Sequence, residues 1–557
     1  MSELTIVIVG GVAGGASAAT RARRMNENAE IILFEKDEYV SFANCGLPYH
    51  IGEEIPDRDD LLVATPEFLS KRFRLDVRVR GEVLSIDREK KTVSVRRHGS
   101  GELYHQPYDK LILAPGAIPV VPPLEGVDAA NVFTLRNLND TDRIKSYVDR
   151  KSTRQAVVVG AGFIGLEMIE QLVGRGIDTS LVELQPQVLP LLDPEMAQPL
   201  EQELRQHHVR LHLGVRIDRI DSGGDGQAIA VQLSDGTRIE TDLVIFGIGV
   251  RPSIDLAVQS GLTIGESGGI ATNDTMQTSD PDIYAVGDAA EYPYGPTQSR
   301  LRVALAGPAN RAGRLAGQHA ATGNSAAMQP VLGTSIVRVF GLTAAVTGLT
   351  ENLAKQFARP SQSVTIVSKH HAGYFPGAEP MTLKLLYEPE TGKILGAQVV
   401  GGAGADKRID VIATTMHFGG DVRGLAGVDL AYAPPFGSAK DPVHLAAFVA
   451  CNELDGLESF CPAAASLSGK QVVDVRTAAE VAETPLAGVG SPMHIPVDEL
   501  RDRMGELDAT KPTVVSCAVG IRGHIAARIL KQHGFHVENL IGGATVRNRA
   551  WLSESAK

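Results

Sequence analysis

The sequence predicts an α/β fold in which parallel βαβ units recur along the chain. Two glycine-rich loops support this prediction, because each follows a short apolar strand and precedes a helix that leads to another strand (residues 4–35 and 155–183). A further α/β unit is predicted near the C-terminal end, where apolar strands at 471–474 and 513–516 run into loops. At 557 residues the chain is too long for one hydrophobic core, so about three or four domains are expected.

The two glycine loops have the spacing of dinucleotide-binding turns. The first spans residues 10–15, and the second spans residues 160–165. Glycines let the backbone approach a pyrophosphate at a helix N-terminus, so each loop predicts a Rossmann-like domain. Each unit ends in an acid, Glu35 or Glu183, that is placed to accept hydrogen bonds from a ribose. An acid at position 183 favours NADH over NADPH, because it would repel a 2′-phosphate.

The second loop matches G-x-G-x-x-G fully, whereas Val12 replaces the middle glycine of the first. Both loops lie between a strand and a helix, so two bound dinucleotides are predicted. The residues assigned to them are Gly10, Gly11, Ala13, Gly14, Gly15, Glu35 and Lys36 for the first loop, and Gly160, Gly162, Ile164, Gly165 and Glu183 for the second.

Composition describes an ordinary globular chain, with 43% hydrophobic and 22% charged residues. The net charge of −12 argues against nonspecific nucleic-acid binding. Four cysteines without clustered spacing exclude a disulfide scaffold and a CxxC zinc site, so no metal site is predicted. A reducing, cytoplasmic compartment is expected. A strand that begins almost at Met1 leaves no room for a signal peptide, and no apolar run is long enough to span a bilayer.

The stretch SFANCGLPY at residues 41–49 places one cysteine, Cys45, among small residues shortly after the first βαβ unit. A reductase with a redox-active cysteine pair would need a second cysteine five residues on, but that position is His50. Cys45 is therefore predicted to work alone, as a sulfenate, a persulfide or a mixed disulfide with a small thiol.

A second candidate nucleophile, Cys517, begins the loop CAVGIRG, after which a helix is predicted from His524. Backbone N–H groups of such a loop converge on the sulfur, and with Arg522 nearby they would stabilise a thiolate or a persulfide. Cys451 and Cys461 are interpreted as structural, with a resolving role for either as the alternative.

With these motifs, the chain resembles coenzyme A (CoA) disulfide reductases fused to a C-terminal rhodanese domain, in the single-cysteine class of pyridine nucleotide-disulfide oxidoreductases. The most specific parts of the likeness are SFANCGLPY at 41–49, YAPP at 432–435, SAKD at 438–441 and the loop at 517–523. The resemblance implies an FAD-dependent enzyme that uses NADH to reduce persulfides, polysulfides or CoA disulfide. It also implies a homodimer with a shared active site.

The resemblance further implies a division into domains. The expected domains are an FAD-binding domain at 1–150 and 246–329, an NADH-binding domain at 151–245, an α+β dimerisation domain at 330–454, a linker at 455–469 and a rhodanese domain at 470–557. The linker is also indicated by its content of Ala, Ser, Gly and Pro.

Residue roles follow from the same resemblance. Cys45 is the expected redox nucleophile beside the flavin, and Tyr374 and Tyr432 would reach it from the partner subunit as hydrogen-bond donors to the leaving thiolate. Phe436 stands where related sequences often have Tyr. Further cofactor contacts are implied at Ala114, Pro115, Gly116, Gly249, Gly287 and Asp288, of which Asp288 would bind the ribityl chain. Contacts to CoA are implied at Ser17, Arg21, Arg24, Ser41, Asn44, Lys71 and, across the dimer, Lys440.

The predicted reaction begins when the Cys45 thiolate attacks a sulfane sulfur or the S–S bond of CoA disulfide, with NADH as the source of electrons. Cys517 would collect sulfane sulfur and pass it to CoA or to Cys45. Two other functions are compatible with parts of the sequence. One is an NADH oxidase or peroxidase in which Cys45 cycles through a sulfenate. The other is a non-catalytic sulfur carrier or redox sensor.

Overall fold

The computed structural model of the chain describes residues 4–150, 152–224 and 226–555. It divides into two units: unit 1 comprises Met1–Gly160, Gln171–Thr179 and Ile217–Gly333, and unit 2 comprises Ala161–Glu170, Ser180–Arg216 and Thr334–Lys557. Some sheets are parallel and others antiparallel, which confirms the mixed α/β fold.

The helices and strands alternate along most of the chain. Up to residue 150 they are β1 Thr5–Val9, α1 Ala13–Met25, β2 Glu30–Phe34, α2 Leu47–Ile51, α3 Pro66–Phe73, β3 Asp76–Arg78, β4 Gly81–Asp87, β5 Thr92–Arg97, β6 Leu103–Pro107, β7 Lys110–Leu113, β8 Ala117–Pro119, β9 Val132–Thr134 and α4 Leu138–Val148. Up to residue 333 they continue with β10 Gln155–Val159, α5 Phe163–Gly174, β11 Asp178–Glu183, α6 Pro194–Gln206, β12 Arg210–Leu213, β13 Ile217–Ser222, β14 Ala228–Leu233, β15 Arg238–Glu240, β16 Leu243–Phe246, β17 Val250–Pro252, α7 Asp255–Gln259, β18 Ile283–Ala285, β19 Glu291–Tyr294, β20 Ser299–Arg302 and α8 Ala306–Thr322.

The remaining elements belong to unit 2. They are β21 Ser335–Val339, β22 Leu342–Gly348, α9 Glu351–Gln356, β23 Gln362–Lys369, β24 Pro380–Tyr387, β25 Ile394–Gly401, α10 Ala405–His417, α11 Val422–Ala426, α12 Pro442–Leu454, β26 Phe460–Cys461, β27 Gln471–Asp474, α13 Ala478–Glu483, β28 Met493–His494, α14 Leu500–Arg503, β29 Thr513–Ser516, α15 Ile521–Gln532, β30 Val537–Leu540 and α16 Gly543–Ser555. In the described part of the chain, no helix combines the length and the apolar character that crossing a bilayer requires.

Unit 1 contains a parallel sheet with the strand order β18-β7-β1-β2-β3. The strand β1 reads TIVIV, and its last four residues are buried, as expected for a strand covered on both faces. The carboxyl ends of parallel strands share one edge of a sheet. The first glycine loop, Glu35, Ala114 and Gly287 follow β1, β2, β7 and β18, so the sheet brings them to this shared edge.

Small residues allow α1 and α8 to pack closely in unit 1. A Cβ atom on Gly313 would lie 2.2 Å from the carbonyl oxygen of Gly14, and one on Gly317 would lie 2.2 Å from that of Ala18. Any larger residue at either glycine would push the helices apart. The contact places side chains from the two helices on neighbouring surface positions.

The second glycine loop also follows a parallel strand. In unit 1, β10 pairs in parallel with β16, and β16 pairs in parallel with β9. In unit 2, β11 and β12 pair in parallel. The order β10, α5, β11 is the predicted βαβ unit.

The segment from residue 334 forms an antiparallel sheet with the order β21-β22-β25-β24-β23. The strands β24 and β25 include the predicted runs at 382–387 and 394–400. The helix predicted at 407–418 is α10, which begins and ends slightly earlier. These elements and α12 enclose one apolar core.

The C-terminal part of unit 2 is a parallel sheet with the order β26-β30-β29-β27-β28. Its edge strand β26 lies inside the segment 455–469, whose composition predicts a linker. Phe460 pairs with Asn539 and Cys461 with Leu540. Cys461 is fully buried among apolar residues, consistent with a structural role. The sheet therefore begins before residue 470, the predicted start of this domain. The sequence did not reveal β26, because two residues in a Ser- and Ala-rich stretch are too few to show an apolar pattern.

Lys384 is buried in unit 2 at the centre of three carboxylates. Its Nζ atom lies 2.8 Å from Asp193, 2.5 Å from Glu195 and 3.1 Å from Glu351, and its side chain is 3% exposed. Burial alone would lower the pKa of Lys384, but the negative charges of Glu195, Asp193 and Glu351 raise it above its ordinary value. The ammonium group is thus the counter-charge of a carboxylate, Asp193, whose side chain is only 1% exposed.

The substitution Lys384→Met should lower the free energy of unfolding by about 3 to 5 kcal/mol, because it leaves a buried carboxylate uncompensated. Urea denaturation measures this loss. Lys355→Met, on the exposed face of α9, is the control and should change the unfolding free energy by less than about 0.5 kcal/mol. Equal effects of the two substitutions would contradict the role assigned to Lys384.

Candidate functional site

The first glycine loop has a backbone that side chains would obstruct. Gly10 has a φ of 98°, and a Cβ atom there would lie 2.0 Å from the carbonyl oxygen of Ala114. A Cβ atom on Gly15 would lie 1.8 Å from the carbonyl oxygen of Gly10. Val12, the departure from the motif, has a φ of −94°, which any L-residue can adopt. The positive φ that favours glycine is therefore not needed at this position of the motif.

Glu35 holds this loop from the end of β2. Its Oε2 accepts a hydrogen bond from the Gly11 N–H at 2.8 Å, and its Oε1 accepts one from the Asp37 N–H at 3.0 Å. Burial raises the pKa of Glu35, and these two donors oppose that rise. The first turn of α1 consists of the small residues 13–15, so no side chain larger than a methyl group covers its N–H groups, as anion binding at a helix N-terminus requires. The loop thus fits the pyrophosphate of a dinucleotide. Glu35, which was predicted to bind a ribose, also holds the loop in shape.

The other predicted contacts of the first dinucleotide lie at the same sheet edge. Gly116 and Gly287 have φ values of 70° and 80°, and both sit in tight turns after strands. Asp288 lies with its Oδ2 atom 3.8 Å from Nη2 of Arg136. A Cβ atom on Gly116 would come within 2.7 Å of the same Nη2 atom. Arg136 was not predicted, because it follows β9 without any motif, and only the fold brings it to this edge.

Cys45 is exposed at the surface of unit 1 and lies in a short 3₁₀ turn, Asn44–Gly46, that runs into α2. The segment is fastened to the first glycine loop, because the Ser41 N–H donates to the carbonyl oxygen of Gly11 at 2.9 Å. His50, at the position of a second cysteine, is buried, and its Nδ1 lies 2.7 Å from the carbonyl oxygen of Ile55. The segment that carries the thiol is therefore anchored, whereas the side chain five residues on is buried.

The predicted CoA residues of α1 join a cationic patch of unit 1, formed by Arg21, Arg24 and Arg314. Partial burial and the neighbouring charges of Arg314 and Arg24 lower the pKa of Arg21. The guanidinium of Arg21 donates to the neutral amide oxygen of Gln318, at 3.2 Å from its Nε atom. Arg314 was not predicted, because it belongs to α8 and reaches α1 only through the glycine-mediated helix contact.

The other predicted CoA residues are distributed over both units. Ser17 donates to Asn310 at 2.5 Å within unit 1. Ser41 and Asn44 flank Cys45 on its own segment, and Lys71 is exposed on α3. Lys440 is exposed in unit 2, two residues before α12 begins.

The second glycine loop repeats the arrangement of the first. In unit 2, the Ala161 N–H donates to Oε2 of Glu183 at 2.7 Å, just as Gly11 does to Glu35. In unit 1, Gly160 has a φ of 102°, and a Cβ atom there would lie 2.6 Å from the carbonyl oxygen of Gly247. Around Gly162 and Gly249, in contrast, a Cβ atom would have no described atom within 4 Å. Packing within its own unit therefore does not require glycine at either position, whereas the φ of 110° at Gly249 does favour it.

Tyr374 and Tyr432 come together in unit 2, although 58 residues separate them. Their hydroxyl oxygens lie 3.1 Å apart, and the two residues are 76% and 49% exposed. The hydrogen bond with Tyr432 raises the pKa of Tyr374. Phe375 and Phe436 are also exposed nearby in sequence, at 39% and 72%. The pair thus presents two phenolic groups on an aromatic surface of the unit.

Cys517 follows β29 at the start of a tight loop in unit 2. The Gly520 N–H donates to its Sγ atom at 3.1 Å, and Gly520 has a φ of 100°. The carbonyl oxygen of Cys517 accepts from the Ala544 N–H at 2.7 Å, which ties the loop to α16. Cys517 is 1% exposed, so the loop encloses its sulfur. Several backbone N–H groups were predicted to converge on this sulfur. Among the described hydrogen bonds, the Gly520 N–H does so.

Two details near Cys517 differ from the prediction. The helix predicted from His524 begins at Ile521, because Gly520 makes the turn and allows an earlier start. Arg522 therefore lies in the first turn of α15, where its guanidinium bonds both oxygens of Glu480 at 2.8 and 2.6 Å. The hydrogen bonds from Arg522 lower the pKa of Glu480 strongly. Glu480, which also caps α13 with Thr477, was missed because it lies 42 residues away in the sequence.

Comparison with known proteins identifies the relatives of this chain. Residues 4–313 match the model of the pyridine nucleotide-disulphide oxidoreductase family, and residues 334–442 match the dimerisation domain of that family. The CoA disulfide reductase of Staphylococcus aureus is 36% identical over 445 residues, which cover 80% of this chain and 99% of that protein.

Two solved structures resemble nearly the whole chain. The reduced CoADR-RHD of Bacillus anthracis is 43% identical, with a TM-score of 0.95, over 99% of this chain and 98% of that one. The NAD-dependent persulfide reductase of A. fulgidus is 36% identical, with a TM-score of 0.90, over 98% of this chain and 100% of that one. This chain therefore belongs to the pyridine nucleotide-disulphide oxidoreductase family, whose members are flavoprotein enzymes with FAD and NADH as their expected cofactors.

Proposed function

We propose that the chain is an NADH-dependent reductase of CoA disulfide and of persulfides or polysulfides. The observation that carries this proposal is the exposed Cys45 on a segment bonded to the first glycine loop, with a buried histidine in place of a second cysteine. With no second cysteine at position 50, the exposed thiol of Cys45 would react with a sulfur atom of a bound substrate. The Staphylococcus aureus and A. fulgidus relatives, a CoA disulfide reductase and a persulfide reductase, support this substrate class.

Both glycine loops take part in the proposal as cofactor sites. The first loop with Glu35, the turns at Ala114, Pro115, Gly116 and Gly287, and Asp288 with Arg136 would hold FAD, and the second loop with Glu183 would hold NADH. When bound, these cofactors supply two electrons by hydride transfer.

Cys45 performs the sulfur chemistry in this proposal. Its thiolate attacks one sulfur of CoA disulfide, the S–S bond breaks, and a mixed disulfide of Cys45 with CoA forms while a CoA thiolate leaves. Two electrons and one proton then cleave the mixed disulfide, which restores the Cys45 thiolate and releases CoA thiol. With a persulfide, the Cys45 thiolate attacks the sulfane sulfur, the S–S bond of the donor breaks and its thiolate leaves, and a Cys45 persulfide forms. Two electrons and one proton then cleave this persulfide, which restores the Cys45 thiolate and releases hydrosulfide.

Tyr374 and Tyr432 would assist from a second copy of the chain. Five aromatic residues between 374 and 436 are exposed in unit 2, namely Tyr374, Phe375, Phe418, Tyr432 and Phe436. Aromatic side chains on a surface are typical of protein interfaces. We therefore propose a homodimer in which the tyrosine pair of one subunit donates hydrogen bonds to the thiolate that leaves at Cys45 of the other.

The C-terminal sheet is proposed to be a rhodanese domain that begins with β26. The loop at Cys517, whose sulfur accepts from the Gly520 N–H, can stabilise a bound sulfane sulfur, and Arg522, paired with Glu480, lies in the first turn of the following helix. The Bacillus anthracis structure covers this part of the chain as well. Cys517 would accept sulfane sulfur and transfer it to CoA or to Cys45.

The substitution Cys45→Ser should abolish NADH oxidation with CoA disulfide while FAD stays bound, because a serine hydroxyl is not ionised at neutral pH and forms no disulfide. Steady-state NADH consumption and the visible flavin spectrum measure the two properties. Cys451→Ser is the matched control and should keep turnover near that of the parent protein.

CoA disulfide turnover that survives in Cys45→Ser would contradict the mechanism. Faster turnover of the parent protein with oxygen or peroxide than with CoA disulfide or CoA persulfide would instead establish the NADH oxidase or peroxidase alternative.

Arg314→Gln should raise KM for CoA disulfide roughly 10-fold and leave kcat almost unchanged, because a charged hydrogen bond to phosphate is worth about 1.5 kcal/mol in both ground and transition states. The effect should shrink at high salt, where phosphate–guanidinium attraction is screened. Arg97→Gln, on the antiparallel sheet β4-β5-β6 of unit 1, is the control. An unchanged KM in Arg314→Gln would show that the cationic patch does not bind CoA.

Cys517→Ser should leave reduction of CoA disulfide intact and lower reduction of polysulfide at least 10-fold, because the receiving sulfur is lost while Cys45 is retained. Paired assays with the two acceptors on one preparation give the ratio. A parallel loss of both activities, or of neither, would argue against a separate sulfur-accepting role for the C-terminal sheet.

A further inference from the structure

A buried ion pair in unit 2, Arg408 with Asp441, lies outside the residues assigned so far. Nη2 of Arg408 bonds Oδ2 of Asp441 at 2.7 Å, and Nε of Arg408 bonds Oδ1 at 3.2 Å. The two side chains are 1% and 4% exposed. Their two parallel bonds fix the relative orientation of α10, which carries Arg408, and the start of α12, which Asp441 caps.

The ion pair is bonded to both segments that carry the tyrosine pair. Arg408 Nη2 also donates to the carbonyl oxygen of His370 at 2.6 Å, four residues before Tyr374. Asp441 ends the loop that begins with Tyr432, and it accepts from the Val443 N–H at 3.1 Å. One guanidinium thus links the ends of two segments that are distant in sequence.

A backbone hydrogen bond completes the connection between these segments. The Ala372 N–H donates to the carbonyl oxygen of Gly437 at 2.9 Å, between Arg408 and the tyrosines. Gly404 accommodates the arginine, since a Cβ atom there would lie 2.3 Å from Nη1 of Arg408. The segments are therefore held together by buried contacts, whereas the tyrosine rings themselves are exposed.

We propose that Arg408 and Asp441 are positioning residues, which set the two backbone segments so that the hydroxyl groups of Tyr374 and Tyr432 meet. This inference rests on the proposed function, in which those hydroxyl groups donate hydrogen bonds to the leaving thiolate. Two exposed rings make few contacts of their own, so their relative placement depends on the backbone beneath them. A buried bidentate pair supplies directional constraint of a kind that apolar packing lacks.

The test uses Asp441→Asn and Arg408→Lys in the full-length holoenzyme with CoA disulfide as the acceptor. Asparagine at position 441 can still cap α12 but carries no charge. Lysine at position 408 keeps the positive charge but cannot make the two parallel hydrogen bonds of a guanidinium group. Each variant should lower kcat about 10- to 100-fold, because a misplaced donor loses its contact with the leaving group. NADH oxidation with ferricyanide, which bypasses the thiol chemistry, should stay within about 2-fold. Asp421→Asn, which alters the capping aspartate of α11, is the matched control.

A double-mutant cycle distinguishes positioning from general stability. In the Tyr374→Phe/Tyr432→Phe background, Asp441→Asn and Arg408→Lys should lower kcat less than 2-fold further, since no hydroxyl groups remain to be placed. A full additional loss in that background, or unchanged kcat in the variants of the parent protein, would overturn the inference.

The outcomes also separate this inference from the proposed function. If the tyrosine variants themselves keep the parent kcat, the proposed role of the tyrosines fails, and the positioning role fails with it. If the tyrosine variants lose kcat and both ion-pair variants keep it, only the positioning role fails. Circular dichroism and flavin content check that each variant is folded. If one of the two ion-pair variants does not fold, the other alone completes the double-mutant cycle.

Discussion

The hydrogen bond from the Ser41 N–H to the carbonyl oxygen of Gly11 connects the first glycine loop with the segment that carries Cys45. Ser41 has a φ of 47°, a left-handed conformation that costs a non-glycine residue about 1 kcal/mol. Its own carbonyl oxygen accepts from the Ala64 N–H at 3.1 Å, so bonds on both sides stabilise the conformation. The segment that carries the thiol is thus bonded to the same loop that Glu35 shapes, which links the two proposed sites.

Local patterns predicted the features that depend on neighbouring residues. The βαβ units, their acids and the strands β24 and β25 follow from apolar periodicity and from glycines with obligatory positive φ. Arg136, Arg314 and Glu480 were missed because each reaches its site from a distant part of the chain. Arg314, for example, meets Arg21 only because Gly313 and Gly317 let two helices approach closely. Strand β26 was missed because two residues are too few to show a period.

The two candidate nucleophiles lie in different environments, which suits the different chemistry proposed for them. Cys45 is exposed on a short turn and accessible to a bulky thiol such as CoA. Cys517 is enclosed by its loop, and the Gly520 N–H bonds its sulfur. The N–H group that bonds this sulfur can also stabilise a sulfane sulfur held there, which suits carrying sulfur. A division of labour between carrying sulfur and reducing it is consistent with this contrast.

Strand β26 has a consequence for dissecting the chain. Glu458, just before this strand, is buried and bonds both His524 and Asn539, and Lys531 donates to the carbonyl oxygen of Gly456. A fragment cut at residue 470 would lose all of these contacts and leave β30 as an open sheet edge. Unprotected edges recruit other strands, so such a fragment would aggregate, whereas one that starts ahead of Gly456 keeps its own edge covered.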